Sequence, residues 1–274
     1  MKQVKEFAAF VKERHAIYER RLAGKPKPWT KDPILQQYRF CNVYRELDVV
    51  TVWIRDHWRA PHIDDPNLWF AMIVARLLNK PESMAESGYP VPWKPDKWVK
   101  VLDARKARKE TVFSGAYMIH ADAHSTASKV GYLAECVLTP IWSRRKEGTK
   151  AFSSSLSEAH QWLMQFRDMG SFMAAQVIAD TKFTPLLANA KDWWTWAAPG
   201  PGSLRGMSCV EFGDFNTKYT DVAWRDALAE LKTRVDPIWD RAGMPLVSAQ
   251  DLQNCLCEYS KYVRGYGKQK YPGI

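Results

Sequence analysis

The chain has 274 residues, enough for one large helical domain or two lobes, each with its own core. Hydrophobic residues make up 46% and charged residues 26%, which excludes a disordered chain. Lys plus Arg (40) outnumber Asp plus Glu (30), and the formal charge of +10 favours a polyanion such as nucleic acid as partner.

Apolar positions recur at helical spacing almost throughout, and no alternating strand pattern of useful length occurs. Val4, Phe7, Ala8, Val11, His15, Tyr18 and Leu22 form the stripe of a first helix. Residues 24–33, GKPKPWTKDP, break it. A second helix is predicted from about Ile34 to Trp58. A third follows Asp65-Pro66, with Leu68, Trp69, Met72, Ile73 and Leu77 inward. Residues 81–95, rich in Pro, Gly and Ser, read as a long surface loop. Val130, Leu133, Ala134, Val137, Leu138 and Ile141 mark a further helix, stopped by a basic turn, SRRKEGTK. Ser155 or Ser157 can cap a helix carrying Leu156, Ala159, Leu163 and Phe166. Gly170 turns the chain sharply into a short helix that reaches about Asp180. PGPGSLRGM reads as irregular. The last two helices run through Leu228, Leu231, Val235 and Ile238, and through Leu252, Cys255, Leu256 and Tyr259. The fold class is all-α, one helical domain over 1–274 with lobes at 30–150 and 151–262 and a mobile basic tail, 263–274.

The five cysteines show no C-x-x-C pair, so neither a disulfide framework nor a zinc or iron–sulfur site is expected, and no cofactor is called for. The start, MKQVKEFAAFVKERHAIYERR, is amphipathic and charged, unlike a secretory signal. No apolar run approaches the roughly 20 residues that span a bilayer. A cytoplasmic protein without membrane contact is the expectation. Thirteen Trp, 11 Tyr and 11 Phe exceed what a helical core needs, so some rings should line a groove or pocket.

Several clusters can carry chemistry. In CNVYRELD, Asn42, Arg45 and Asp48 would share one helix face amid apolar neighbours, either as an internal network or as contacts to a ligand. The turn at Gly170 leaves backbone N–H groups, Ser171 included, that can hold a phosphate. Asp192 follows in AKDWWTWAAPGPGS, among Trp193, Trp194 and Trp196, rings that can stack on an extruded base. A plain helix cap is the other account of that Asp. Gly200 and Gly202 in PGPG, with Arg205 nearby, allow close approach to a ligand or simply make a turn. Glu258 and Lys261 are three apart in CLCEYSKY, the spacing of a helical ion pair. His120 and His124 lack the HExxH arrangement, so no metal site is expected, and no GxxxxGK[ST] phosphate loop occurs.

FCNVYRELD, SGAYMIHA with Lys129, DWWTWAAPGPGSLRGM and LCEYSKY, in this order, resemble the helical domain associated with phage 5-hydroxymethyldeoxyuridine DNA kinases. The related alpha-glutamyl/putrescinyl thymine pyrophosphorylases are similar too, and the group in turn resembles the helix-hairpin-helix DNA glycosylases, the superfamily of endonuclease III. The resemblance covers roughly Ile34 to Lys261 and implies two helical lobes around a DNA-binding cleft. It places the glycosylase Asp at Asp192. Two departures matter: Asp168 stands where the hairpin usually has its first Gly, and Phe172, Met173 and Ala174 offer no lysine for lyase chemistry. The superfamily's iron–sulfur loop has no counterpart.

These features converge on a monofunctional glycosylase excising a 5-hydroxymethyl-derived pyrimidine, glucosylated forms included, from double-stranded DNA, a role suited to anti-phage defence. Asp192 and Glu258 would be catalytic. Asn42, Arg45, Asp48, Tyr117, Trp193 and Trp196 would form the base pocket. Gly170, Ser171, Lys129, Gly200, Gly202, Arg205 and Lys261 would hold the DNA. Two alternatives stand beside it. One is a hypermodification transferase adding an amino acid or polyamine to an activated 5-methylene, alongside a kinase or hydroxymethylase. The other is a non-catalytic reader of modified DNA.

Overall fold

The computed structural model describes residues 1–115, 128–216 and 218–271. Helix α1 (Val4–Leu22) forms as expected and buries Phe7, Ala8, Phe10, Val11 and Ile17, together with two polar residues, Arg14 and His15. Asp32 caps α2 (Pro33–Gln37), accepting from the Ile34 and Leu35 N–H groups. There the predicted Ile34–Trp58 helix stops. Tyr38–Arg39 is a short strand, β1, and Arg45–Leu47 a single 3-10 turn. Helix resumes only as α3 (Val49–Ile54), which widens into a π-helical stretch, Arg55–Arg59.

Every residue of α4 (Leu68–Leu78) is buried, Arg76 included. The stretch read as a loop contains α5 (Pro81–Ser87) and leads into α6 (Pro95–Ala107). Both prolines sit at the first helical position, where a missing N–H costs nothing, so residues read as breakers are helix starters. α7 (Lys129–Tyr132), a π-helical stretch Leu133–Leu138 and α8 (Thr139–Ser143) follow one another as the helix predicted there. The basic turn expected next is itself helical, α9 (Arg145–Ala151). Ser155 caps α10 (Leu156–Leu163), and Gly170 precedes α11 (Ser171–Thr181), both as expected.

PGPGSLRGM also proves regular: it opens α12 (Pro201–Phe212), again with Pro at the first position. Thr220 caps α13 (Asp221–Asp240) and Ser248 caps α14 (Ala249–Tyr262). The tail is docked rather than loose through residue 271. β2 (Gln269–Lys270) pairs antiparallel with β1, Tyr38 opposite Lys270, and the Tyr271 N–H donates to the Gln37 carbonyl at 3.0 Å. Among the described residues the fold is all-α apart from this two-residue ladder. No helix among the described residues is long and apolar enough to cross a membrane.

The chain divides into two compact units, Met1–Asp48 with Trp194–Ile274, and Val49–Trp193. The boundaries therefore fall at 48/49 and 193/194 rather than near 150, because the two ends of the chain share one core. That first core gathers Phe7, Val11, Trp224, Leu228, Leu231, Trp239, Leu252 and Leu256. Within it α12 lies almost backbone to backbone on α14, since a side chain at Gly206 would collide with the Leu256 main chain. The second core wraps α4 in rings: Trp69 stacks on Phe152 at 5.1 Å and meets Trp162 edge-on at 5.2 Å. Much of the aromatic surplus expected to line a groove is thus spent on packing, where each ring buries a large apolar area.

Candidate functional site

In the first unit, residues 41–48 form no α-helix, only the 3-10 turn Arg45–Leu47, because many of their hydrogen bonds come from other elements. On α14, Asp251, Asn254, Glu258 and Lys261 recur at helical spacing and form one polar stripe. Glu258 is 2% exposed; its Oε2 accepts from the Cys41 N–H at 3.3 Å and its Oε1 from Lys261 Nζ at 2.6 Å. Asn254 donates to the Asn42 carbonyl, and the Arg45 N–H donates to Asp251 Oδ1. From α1, Arg14 Nη2 donates to the carbonyls of Cys41 (2.6 Å) and Asn42 (3.1 Å). The segment closes on itself as well: the Asn42 N–H donates to Asp48 Oδ1 at 3.2 Å, and Asn42 Nδ2 to the Leu47 carbonyl at 2.8 Å. Asn42, Arg45 and Asp48 are therefore not a helix face. They belong to a looped segment whose backbone is held by hydrogen bonds to α1, to α14 and to its own side chains. Burial raises the Asp48 pKa above its ordinary value and pushes the Cys41 thiol up to about 11, so Cys41 is no thiolate nucleophile.

Arg14 is 5% exposed, and its Nε and Nη1 have no hydrogen-bond partner among the described residues. It lines a pocket with Tyr18, Arg21, Tyr38, Asn42 and Tyr271. Cations continue outward from it. Lys27 Nζ lies 4.7 Å from the Tyr271 ring and 5.3 Å from that of Trp29, and Arg21 lies 5.5 Å from the Trp29 ring. Arg39, Lys268 and Lys270 are exposed on and beside the β1–β2 ladder. Sequence reasoning passed over Arg14, yet a signal was available. It lies three residues after Val11 and four before Tyr18, a charge on the apolar stripe itself.

Asp192 belongs to the second unit and caps α10. Its Oδ1 accepts from the Leu156 N–H at 2.8 Å and its Oδ2 from the Ser157 N–H at 2.9 Å. Ser155 Oγ takes the Glu158 N–H at 3.1 Å. Of the four N–H groups that open α10, these three are met by side chains, and that of Ala159 donates to the Ser155 carbonyl at 3.1 Å. Trp193 is also committed inward: its Nε1 donates to the Lys182 carbonyl, and Lys182 Nζ lies 3.7 Å from its ring centroid. Trp196 falls in the first unit and is buried.

Gly170 starts α11 with Ser171 as its first residue, after Asp168 in a left-handed conformation (φ 59°) held by the Tyr132 hydroxyl. Lys129 lies 4.5 Å from the Phe113 ring, and burial lowers its pKa. Gly200 precedes α12. The space beside Gly202 is filled by Cys257, so the close approach it permits is to α14. Arg205, on α12, has a buried Nε without a partner among the described residues. Tyr117, His120 and His124 lie outside the described residues.

The second unit also holds a buried ion pair that the sequence reading missed. Arg76 donates from Nε and Nη2 to both oxygens of Asp180, from Nη2 to Thr51 at 2.8 Å and from Nη1 to Asn79 at 3.0 Å. A lone Arg in LWFAMIVARLL was the available sign that a buried partner exists. This unit has a cavity of about 470 Å³ lined by Asp64, Asp65, Ser153, Ser154 and Asn189, whose acidic residues disfavour a phosphate. Among the described residues no His, Cys, Asp and Glu cluster able to hold a metal ion occurs.

Residues 1–270 match the family described as 5-hmdU DNA kinase, helical domain. The chain belongs to this family. A curated relative, the 5-hmdU DNA kinase of Bacillus phage SP10, is 25% identical over 290 residues, covering 96% of this chain and 45% of the relative. The chain thus spans less than half the length of the curated relative it matches. No solved structure matches it.

Proposed function

We propose that this chain binds DNA carrying a 5-hydroxymethyl-derived pyrimidine and holds that nucleotide for modification at its 5-position by kinase chemistry. The family supplies the substrate class, and a single feature of the first unit carries the reading. Arg21, Lys25, Lys27, Arg39, Lys268 and Lys270 are exposed together around Trp29, Tyr38 and Tyr271. Cations interleaved with rings suit a phosphate backbone and its bases. The sequence contains no GxxxxGK[ST] loop, so phosphoryl transfer would come from another module. Glycosidic cleavage has less behind it. It needs a carboxylate facing the sugar, and both oxygens of Asp192 and of Glu258 are already engaged in holding the fold.

Fluorescence anisotropy with oligonucleotides bearing 5-hydroxymethyluracil tests the reading. Affinity should fall steeply with added salt, and Lys27→Glu with Lys270→Glu should reduce that slope. Mass spectrometry of nucleosides from the same mixtures separates the chemistries. Abasic sites would mean cleavage, new nucleosides transfer, and unchanged nucleosides binding alone. Affinity indifferent to salt would overturn the proposal.

A further inference from the structure

The tail is docked by few contacts. From residue 267 onward its backbone meets the first unit through the β1–β2 ladder, in which Arg39 lies opposite Gln269 and Tyr38 opposite Lys270. Beside the ladder, the Lys268 N–H donates to the Arg39 carbonyl at 2.8 Å and the Tyr271 N–H to that of Gln37 at 3.0 Å. Side chains bury little: Lys268, Gln269 and Lys270 are exposed, and the half-buried Tyr271 meets Trp29 edge-on at 5.9 Å. A two-stranded ladder this short, with so little apolar burial, opens readily in water.

Charge also works against the dock. Closing the ladder brings Lys268 and Lys270 alongside Arg39, and sets Tyr271 under Lys27, whose Nζ is 4.7 Å from the ring. Arg20, Arg105 and Lys261 have carboxylate partners, but Arg21, Lys25, Lys27, Arg39, Lys268 and Lys270 form no ion pair with a described residue. Acids close by answer to other groups. Asp32 caps α2 and accepts from the Tyr262 hydroxyl, and Glu258 pairs with Lys261. Asp48 lies within electrostatic reach of Lys268 without pairing with it. Like charges gathered without counter-ions repel, and part of that repulsion falls on the tail.

A phosphate strand lying across β1 and β2 supplies the missing counter-ions to both at once. We propose that residues 267–271 are a strap that nucleic acid latches: the bound strand holds β2 on β1, and the free protein opens and closes it. The proposal rests on the DNA-binding reading above and gives that surface a moving part. Coupling of this kind is reciprocal, so whatever DNA adds to docking, docking adds to DNA affinity.

Gly267 is what allows the strap to close. It passes so near β1 that a Cβ there would meet Tyr38 Cβ at 2.6 Å and the Arg39 carbonyl oxygen at 2.8 Å.

Hydrogen–deuterium exchange of the full chain, read at the Lys268 and Tyr271 amides, tests the strap. Without DNA, protection of both should rise as salt is added, because salt screens the repulsion. Arg39→Gln removes one crowded charge but keeps the carbonyl that holds Lys268, so it should raise the same protection at low salt. It should also lower the slope of DNA affinity against salt by about 0.7–0.9, the share of one phosphate. An oligonucleotide carrying 5-hydroxymethyluracil, at about 100 times its dissociation constant, should raise protection at least about tenfold, the ceiling being about 100-fold. Gly267→Val holds the tail open and should lower the salt slope by about 1.4–1.8, the share of Lys268 and Lys270. Wild-type protein that binds no oligonucleotide overturns the DNA-binding reading and the strap with it. Three results overturn the strap alone: bound oligonucleotide that leaves both amides exchanging as before, a free tail whose protection does not rise with salt, and Gly267→Val binding as wild type does.

Discussion

Asp192→Ala separates a structural from a chemical role for the residue that the sequence motifs single out. The carboxylate meets two N–H groups at 2.8 and 2.9 Å at the positive end of α10. Losing a capping acceptor costs about 0.5–2 kcal/mol, and losing a negative charge at a helix N-terminus about 0.3–1 kcal/mol. Because two donors are abandoned at once, about 2 kcal/mol is expected, with Asp192→Asn losing about half, since one carbonyl oxygen survives. Ser155→Ala abandons the Glu158 N–H of the same turn, so the double variant should depart from additivity. Urea unfolding followed by circular dichroism measures the stabilities, and anisotropy under folding conditions measures DNA binding. A capping role leaves binding by the folded fraction unchanged. If Asp192→Ala is as stable as wild type yet loses binding or turnover on modified DNA, the capping argument is refuted and the residue belongs to the chemistry.

Gly206→Ala should destabilise by about 1–3 kcal/mol or more, because the new methyl group meets the backbone of Leu256. A neutral urea midpoint would mean α12 and α14 are not so closely packed. Asp180→Asn should cost about 3–5 kcal/mol, since Arg76 would keep its charge in a buried site without a counter-ion. An unchanged midpoint there would mean that water reaches the pair. Asp48 gives a pH dependence. Burial raises its pKa from the ordinary 3.8, so its contribution to stability is fully present below that value and is lost as pH rises through the folded pKa. Asp48→Asn should flatten that part of the stability–pH profile while still offering the Asn42 N–H an acceptor. A profile identical to wild type would count against the buried carboxylate.

Helices whose apolar residues form a stripe were legible from sequence, and α1, α4, α13 and α14 lie where periodicity puts them. Three others were hidden behind proline. Pro81, Pro95 and Pro201 read as interruptions, although each occupies the one helical position that needs no N–H. The break after Gln37 was illegible for the opposite reason. The segment FCNVYRELD has a helical pattern, but Glu258 and Arg14 compete for its backbone from distant parts of the chain. Local periodicity has no access to that competition.

The same reasoning separates residues that hold the fold from those left to meet a ligand. Asn42, Asp48, Glu258 and Lys261 came to notice because polar groups among apolar neighbours must find partners, and in the first unit they find one another. A carboxylate that already accepts two hydrogen bonds within the fold can serve a substrate only by giving them up. The cost of the abandoned donors is then charged against binding. Asp192 was read toward a base because three Trp residues adjoin it in sequence, yet its partner is the start of a helix 36 residues earlier at Leu156 and 35 earlier at Ser157.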